Sequence, residues 1–296
     1  MIKKMETMNR GGKIQIAKIR KIVLKTISYL VLTALGIVFI YPLLFMLSAS
    51  FKTNQELMTS MSLIPKSISF DSYINGWKGV GTYTFGHFMK NSGILVVPVV
   101  LFTVISSSLV AYGFARFKFK GHGLLFGAML STMMLPNAVV IVPRYIMFRQ
   151  MGWLNTYVPF YALSLFACYP FFIFSMVQFI RGIPKDIDES AFMDGCSTFG
   201  IFVYMILPLA KPCLFSMAIF QFIWTWNDYF NPLIFINSVN KYTVMQGLRM
   251  CMDSSSGISW GPIMALSLIA ILPCVIIFFA AQKYFVEGVA TTGLKG

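Results

Sequence analysis

Long stretches of apolar residues without a charged side chain dominate the chain, and short polar segments separate them. A helix of about 20 apolar residues crosses the hydrocarbon core of a bilayer, because a helix satisfies its own backbone hydrogen bonds there. Several of these stretches reach that length. The pattern predicts an all-α membrane protein with six transmembrane helices, near residues 26–47, 91–112, 122–147, 157–180, 209–230 and 261–282.

The distribution of lysine and arginine predicts the orientation of these spans. Residues 1–25 carry a dense basic cluster opposed only by Glu6, and such clusters stay on the cytoplasmic side of the membrane. With six spans the C-terminus is then cytoplasmic too. The first apolar run is longer than the roughly 7–15 residues of a cleaved signal peptide, so we expect it to be a retained membrane anchor.

The overall composition supports a membrane location. Of the residues, 57% are hydrophobic and 11% are charged, whereas a soluble domain carries roughly 25% charged residues. Much of the net charge of +14 lies in the N-terminal cluster, which suits anionic lipid head groups, and we expect no nucleic-acid binding. The five cysteines lack the spacing of metal ligands, so we expect neither a metal site nor a disulfide framework.

The same pattern indicates one membrane domain with two tails. We expect a basic cytoplasmic tail over 1–25, and a first helix with an external loop over 26–90. A transmembrane core of five helices follows over 91–283, and a cytoplasmic tail covers 284–296. Within the core, 231–260 carries Asp253, a serine run and Gly257 and is predicted to be a second external segment.

Ionisable residues are scarce inside the predicted spans. Between 121 and 180 the charged residues are Arg144 and Arg149, both near a predicted outer end. Ion-coupled transporters usually carry ionisable groups within the bilayer, and the chain lacks the G-x-x-x-x-G-K-[ST] phosphate loop of an ATPase. We therefore expect a separate protein to supply the energy. The alternatives are a secondary transporter or channel that uses an ion gradient, and a membrane enzyme, although no nucleophile–base pair or metal-ligand set is visible.

The polar segment 181–208 predicts two short helices joined by a glycine. Pro184 suits the first turn of a helix, and acidic residues follow it where the helix dipole favours them. Gly195 ends this helix. This first helix has a face of modest bulk, formed by Ile187, Ser190 and Ala191, which another surface could approach closely. The second helix has an apolar stripe formed by Phe199, Phe202, Val203 and Ile206. This arrangement suits helices laid into a groove on a partner protein.

The 181–208 segment resembles the E-A-A signature of binding-protein-dependent ABC importer permeases. That signature reads E-A-A, three residues, Gly, nine residues, Ile, any residue and Leu-Pro. Here residues 189–191 are Glu-Ser-Ala, Gly195 follows three residues later, and residues 207–208 are Leu-Pro at the expected distance. Serine replaces the first alanine of the signature, and Met205 replaces its isoleucine. Both departures are small changes in size or shape.

Further segments resemble the carbohydrate branch of this family, the maltose-type inner subunit and the multiple-sugar permeases. Asp194 precedes the glycine as in that branch, and Trp-Asn-Asp at 226–228 is similar to its W-N-[DE] motif. Residues 50–53 after the first span, and the C-terminal stretch 282–296, are also similar. The resemblance therefore extends over most of the chain.

The resemblance implies a permease subunit with the helical bundle of a type-1 ABC importer in the cytoplasmic membrane. Such a subunit translocates a mono- or oligosaccharide and is not itself an enzyme. It implies as partners a homologous second permease, two ATP-binding subunits and an extracellular or periplasmic sugar-binding protein. No cofactor is expected on this chain, because ATP and Mg would bind the partner ATPase. The residues expected to couple to the ATPase are Glu189, Ser190, Ala191, Asp194, Gly195, Leu207 and Pro208.

A polar and aromatic cluster predicts a translocation pathway for sugar. Aromatic rings offer apolar faces to sugar C–H groups, while amide and carboxylate groups hydrogen-bond hydroxyls. The candidates are Asn137, Trp224, Trp226, Asn227, Asp228 and Tyr229. The alternative is an interfacial aromatic belt near the end of a span. These residues favour a neutral sugar, but Arg144 and Arg149 leave an acidic sugar open.

Overall fold

Helices form most of the chain in the computed structural model, which describes residues 2–79, 81–253 and 260–293. Side chains are described over 21–79, 81–252 and 260–282, so those of the C-terminal tail and of most of the basic tail lie outside the described residues. The helices are α1 Ile2–Ser50, α2 Asn54–Thr59, α3 Asp71–Trp77, α4 Phe85–Arg116, α5 His122–Thr132, α6 Asn137–Gln150, α7 Val158–Leu165, α8 Pro170–Arg181, α9 Asp186–Met193, α10 Thr198–Ile201, α11 Leu207–Leu209, α12 Lys211–Trp226, α13 Phe230–Phe235, α14 Val244–Asp253 and α15 Trp260–Gly293. A π-helical turn, Phe202–Ile206, joins α10 to α11, and a 3-10 turn, Val239–Lys241, precedes α14.

Each of the six predicted spans overlaps a candidate membrane span of the structure. Four of these candidates are single segments, Lys21–Ser50, Phe85–Arg116, Val158–Arg181 and Trp260–Gln282. The other two are bent helix pairs, α5 with α6 and the 198–209 helix with α12, so the described residues reach six spans when each pair is counted once. The prediction of a helical membrane protein with six spans is confirmed on that count.

Prolines account for both bends. The axis turns by 101° between α5 and α6, at Pro136, which lacks an N–H group and disfavours helix in the residue before it. The axis turns by 76° between the 198–209 helix and α12, where Pro208 and Pro212 flank Ala210. The predicted start of a span at residue 209 therefore falls at a bend, and the predicted end at 230 lies beyond Trp226, where α12 ends.

By its internal contacts the chain forms two units, one from Met1–Ser72 with Trp260–Ala265 and another from Tyr73–Ser259 with Leu266–Gly296. In the first unit, the side chains over 22–44 of α1 are almost all exposed, as expected of a lipid-facing helix. The segment after α1 is folded, although the sequence predicted a loop. The Lys52 ammonium, 1% exposed, donates to the Ser62 carbonyl.

Helix α4 is the centre of the second unit. It packs against α7, α8, α12 and α14, and small polar side chains at its middle let neighbouring helices approach closely. Among them, the Ser106 hydroxyl donates to the Ser164 carbonyl at 2.6 Å. The buried residues that α4 contributes to the core include Phe85, Phe88, Leu95, Val96, Val99 and Ala111.

The end of α4 that carries Phe85 holds the segment before α14 in place. The Asn91 amide donates to the carbonyls of Asn240 and Tyr242 at 2.9 and 3.0 Å. The Val244 N–H donates to the Ser92 hydroxyl at 2.8 Å. The predicted second external segment, as far as the structure describes it, is therefore an ordered run of short helices.

Replacing Gly247 by alanine is expected to destabilise the second unit. A Cβ at Gly247 would lie 2.3 Å from the Cδ2 atom of Phe88, a ring that is fully buried. Overpacking of this kind costs about 1–3 kcal/mol, so the thermal unfolding midpoint of the purified protein should fall. The matched control is Gly93→Ala in α4, where a Cβ would meet no atom within 4 Å. An unchanged midpoint for Gly247→Ala would contradict this packing.

Candidate functional site

The first helix of the 181–208 segment ends in a left-handed glycine, as the sequence predicts. Gly195 has a φ of +85°. Its N–H donates to the Phe192 carbonyl, and the Cys196 N–H donates to the Ala191 carbonyl, both at 3.0 Å. These two bonds form a Schellman motif, in which glycine is favoured because a side chain would be strained at positive φ.

A clamp, defined here as Arg116 and Tyr112 of α4, holds both helices of the segment. The Arg116 Nε lies 2.6 Å from the Asp188 carboxylate, and the two side chains are 5% and 19% exposed. The same guanidinium donates to the Ile183 carbonyl at 3.1 and 3.2 Å. The Tyr112 hydroxyl donates to the Thr198 carbonyl at 3.2 Å. The sequence did not predict the clamp, because about 70 residues separate its two sides.

One side of the segment packs on the chain's own helices. Ala191 is 3% exposed, and Phe202 and Ile206 are buried in the same cluster. The expectation that another surface approaches Ala191 is therefore wrong, since this residue seats α9 on the bundle. The predicted apolar stripe is present, but Phe199 at its beginning is exposed.

The opposite side of the segment presents acidic and large apolar side chains to its surroundings. Of the residues predicted to couple to a partner, Glu189, Ser190, Asp194, Gly195 and Pro208 are exposed, and Leu207 is half-buried. The segment also exposes the large apolar side chains of Phe192, Met193, Phe199 and Tyr204, which were not among the predicted coupling residues. Such a patch on a short rigid helix pair suits a protein interface.

The second helix of the segment contains a π-helical turn that the sequence analysis did not predict. The Leu207 N–H donates to the Phe202 carbonyl, five residues earlier. Pro208 follows directly, and its ring would clash with the carbonyl four residues before it in a regular α-helix. Turns of this kind are frequent at functional sites.

A cavity of about 460 Å³ lies between the bend at Pro136 and the end of α12. Its volume is within the range of small-molecule sites. Its polar and charged lining is Asn137, Arg144, Tyr169, Gln221, Thr225, Asn227, Asp228 and Asn231. Its apolar lining is Phe160, Leu163, Ile223, Trp224 and Phe235.

One face of α12 and its end supplies half of the polar wall. Residues at i, i+3 and i+4 lie on one side of a helix, and in α12 these are Gln221, Trp224 and Thr225. Asp228 follows two residues after the helix ends and lines the same cavity. The Gln221 Nε2 donates to the Thr225 hydroxyl at 3.0 Å. Trp224 is 48% exposed, and its ring lies 5.2 Å from those of Phe171 and Phe172. The result is an amide, a carboxylate and an aromatic ring side by side.

A hydrogen-bond chain crosses the cavity from α6 to the end of α12. The Asn231 N–H and side-chain amide donate to the two Asp228 carboxylate oxygens at 3.1 and 2.7 Å. The Asn137 amide in turn donates to the Asn231 side-chain oxygen at 3.4 Å. Asn137 and Asp228, which the sequence analysis selected independently, thus meet in one site.

Two of the predicted pathway residues lie elsewhere. Trp226 is 5% exposed, and its indole N–H donates to the Ala270 carbonyl at 2.9 Å, so it is a core residue that joins α12 to α15. Tyr229 lines a separate cavity of about 370 Å³. Asn227 lines the first cavity but donates its amide to the Ile223 carbonyl at 2.8 Å.

The sequence analysis missed four polar residues of the cavity, Tyr169, Gln221, Thr225 and Asn231. The sequence shows Gln221 seven residues before Asp228. Only the packed bundle shows that both residues face the cavity. Tyr169 and Asn231 come from other elements. Arg144, which was expected near an outer end, lines the cavity, whereas Arg149 is exposed and is not part of its lining.

The described residues contain no group of three or more His, Cys, Asp or Glu side chains that could hold a metal ion. The lining of the cavity also contains one carboxylate and no thiol. The arrangement suits an uncharged polar ligand that is held by hydrogen bonds and by contact with aromatic rings.

Comparisons with known proteins agree with this architecture. Residues 104–291 match the model of the family "Binding-protein-dependent transport system inner membrane component". Arabinooligosaccharides transport system permease protein AraQ of Bacillus subtilis (strain 168) is 33% identical over 265 residues, which cover 88% of this chain and 92% of that protein.

Trehalose/maltose transport system permease protein MalG of Thermococcus litoralis is 32% identical over 278 residues, which cover 94% of this chain and 99% of that protein. Among solved structures, a chain of a bacterial ABC transporter involved in the import of the acidic polysaccharide alginate superposes with a TM-score of 0.79. It is 21% identical, and the match covers 89% of this chain and 96% of that one. This likeness shows the fold.

Removing the guanidinium of the clamp is expected to loosen the 181–208 segment. In Arg116→Met the partly buried Asp188 loses its partner, and a lost hydrogen bond to a charged group costs about 1.5–3 kcal/mol. Amide hydrogen exchange over 183–198 should accelerate about ten- to hundredfold. Arg149→Met, on an exposed arginine, is the control. Exchange in Arg116→Met at the unmodified rate would show that the clamp does not hold the segment.

Proposed function

The chain belongs to the family of binding-protein-dependent transport system inner membrane components, and from that membership we propose that it is the permease subunit of an ATP-driven importer of a mono- or oligosaccharide. As a member of the family it is a multi-pass protein of the cytoplasmic membrane and a transport component. The relatives AraQ and MalG are named for the transport of arabinooligosaccharides and of trehalose and maltose, which supports saccharide as the cargo.

The observation that carries the proposal is the clamped 181–208 segment with its outward-facing patch. An exposed set of apolar and acidic side chains on a rigid helix pair is suited to a partner protein. We propose that the partner is an ATP-binding subunit on the cytoplasmic side, and that Glu189, Asp194 and Gly195 lie in the contact. ATP and Mg bind that partner in this account, and this chain binds no cofactor.

The remaining partners follow from the same proposal. An importer of this kind has a homologous second permease, two ATP-binding subunits and an extracellular or periplasmic sugar-binding protein. The large exposed apolar surface of α5, α6 and the turn between them, with residues such as Leu124, Met134 and Val139, is available for lipid or for the second permease. The family name itself includes the binding protein.

The proposed mechanism is a rigid-body transmission. When the ATP-binding subunits close, they displace the 181–208 segment, and the clamp passes this displacement to α4. The bundle then changes between inward- and outward-facing states, whose populations the bound nucleotide biases. The cavity that contains Asn137, Trp224, Asn227 and Asp228 is the proposed pathway in this chain. Trp226 contributes to it by fixing α12 on α15.

Two substitutions at Gly195 test the coupling role. A β-branched residue at positive φ costs about 1–2 kcal/mol, whereas asparagine adopts this conformation readily. In the reconstituted complex, Gly195→Val should lower both saccharide uptake and the ATP hydrolysis stimulated by the loaded binding protein, by about 5- to 30-fold. Gly195→Asn should retain most of both activities.

The outcomes separate the possibilities. Equal activity of Gly195→Val and the unsubstituted protein would contradict the coupling role of the turn. Uptake that survives the removal of ATP but stops when the ion gradients are dissipated would instead identify a secondary transporter.

A further inference from the structure

Gln221 has a buried hydrogen-bond acceptor with no partner among the described residues. The side chain is 2% exposed and lines the 460 Å³ cavity. Its Nε2 donates to Thr225, whereas no donor reaches its Oε1 atom. Buried polar atoms are nearly always hydrogen-bonded, and leaving one unpaired is costly. The atom therefore indicates a ligand that brings a hydrogen-bond donor.

The Asp228 carboxylate supplies further acceptor capacity on the same wall. It accepts two hydrogen bonds from Asn231, and an ionised carboxylate has about four lone-pair sites. Gln221 and Trp224 lie on one face of α12, and Asp228 follows two residues after the helix ends, in the same cavity lining. Sugar hydroxyls are donors that fit both groups, while a sugar ring could lie against the half-exposed Trp224.

The charges of the lining argue against an acidic cargo. Arg144 and Asp228 are the charged residues of the cavity, so their formal charges cancel. A carboxylate on the ligand would be attracted by Arg144, but it would also meet the Asp228 carboxylate and the unpaired Oε1 atom of Gln221. An ionised carboxylate and an amide oxygen are acceptors only, so neither can donate a hydrogen bond to the ligand. Hydroxyl groups both donate and accept, so they can donate hydrogen bonds to Gln221 and Asp228 and accept them from Arg144.

We propose that Gln221 and Asp228 form a hydroxyl-binding site for an uncharged saccharide stacked on Trp224, and that this site selects neutral saccharides over uronic acids. The inference rests on the proposed function and specifies its substrate class. In it, Gln221 is a specificity-determining residue of the permease itself, acting after the binding protein has delivered the cargo.

The test uses the full complex in proteoliposomes with ATP inside and the binding protein outside. The probes are neutral di- and trisaccharides and the corresponding uronic-acid oligosaccharides. Uptake should be confined to neutral saccharides. In Gln221→Met, which keeps the size but removes the acceptor, half-maximal uptake should require about two- to tenfold more saccharide. Gln178→Met, on an exposed glutamine of α8 outside the cavity lining, is the control and should leave uptake unchanged.

A second substitution gives a signature that a merely structural role would not produce. Asp228→Asn keeps one acceptor oxygen but leaves Arg144 uncompensated, so uptake of uronic-acid oligosaccharides should appear, while half-maximal uptake of neutral saccharides should require more saccharide because an acceptor oxygen is lost. Preferred uptake of uronic acids by the unsubstituted complex, or unchanged half-saturation in Gln221→Met, would overturn this inference while the importer function stands. Absence of any ATP-dependent saccharide uptake would overturn the proposed function as well.

Discussion

The ion pair between Arg116 and Asp188 decides whether the 181–208 segment belongs to the bundle or is a separate hairpin. Both side chains are largely withdrawn from solvent, so a lone partner would remain as a costly buried charge. Arginine suits this position because its planar fork reaches the carboxylate and the Ile183 carbonyl together. Arg116 is the last residue of α4, a helix about 48 Å long. In the proposed account, a displacement of the segment is therefore transmitted along the centre of the core.

The other end of α4 is also held by hydrogen bonds. Asn91 and Ser92 bind the backbone before α14, and the small residues in the middle of α4 let α7, α8 and α12 pack close to it. The cavity lies beside α12, between the bend at Pro136 and Asp228. This arrangement separates the two tasks in the proposed account: the clamp receives force, and the polar face of α12 meets the cargo. A rigid central helix links them.

Much of the fold follows from the sequence because the bilayer requires long apolar helices. The six apolar runs correspond to the candidate spans, and Gly195 ends α9 in the left-handed conformation. Directions of side chains are harder to predict. Trp224 and Trp226 are two residues apart, so Trp224 lines the cavity and Trp226 packs in the core. The residue type alone predicted the same pathway role for both. Arg144 enters the cavity because α6 bends away from α5, and the clamp joins residues far apart in sequence. Each of these depends on the packed bundle rather than on a local pattern.

The central claim is that this chain moves cargo only when a separate motor acts on the 181–208 segment. The direct measurement is saccharide uptake into vesicles that contain either this chain alone or the chain with the second permease and the ATP-binding subunits, with binding protein outside and ATP inside. The account predicts uptake by the complete complex and none by the chain alone. Uptake by the isolated chain, with or without ATP, would contradict it.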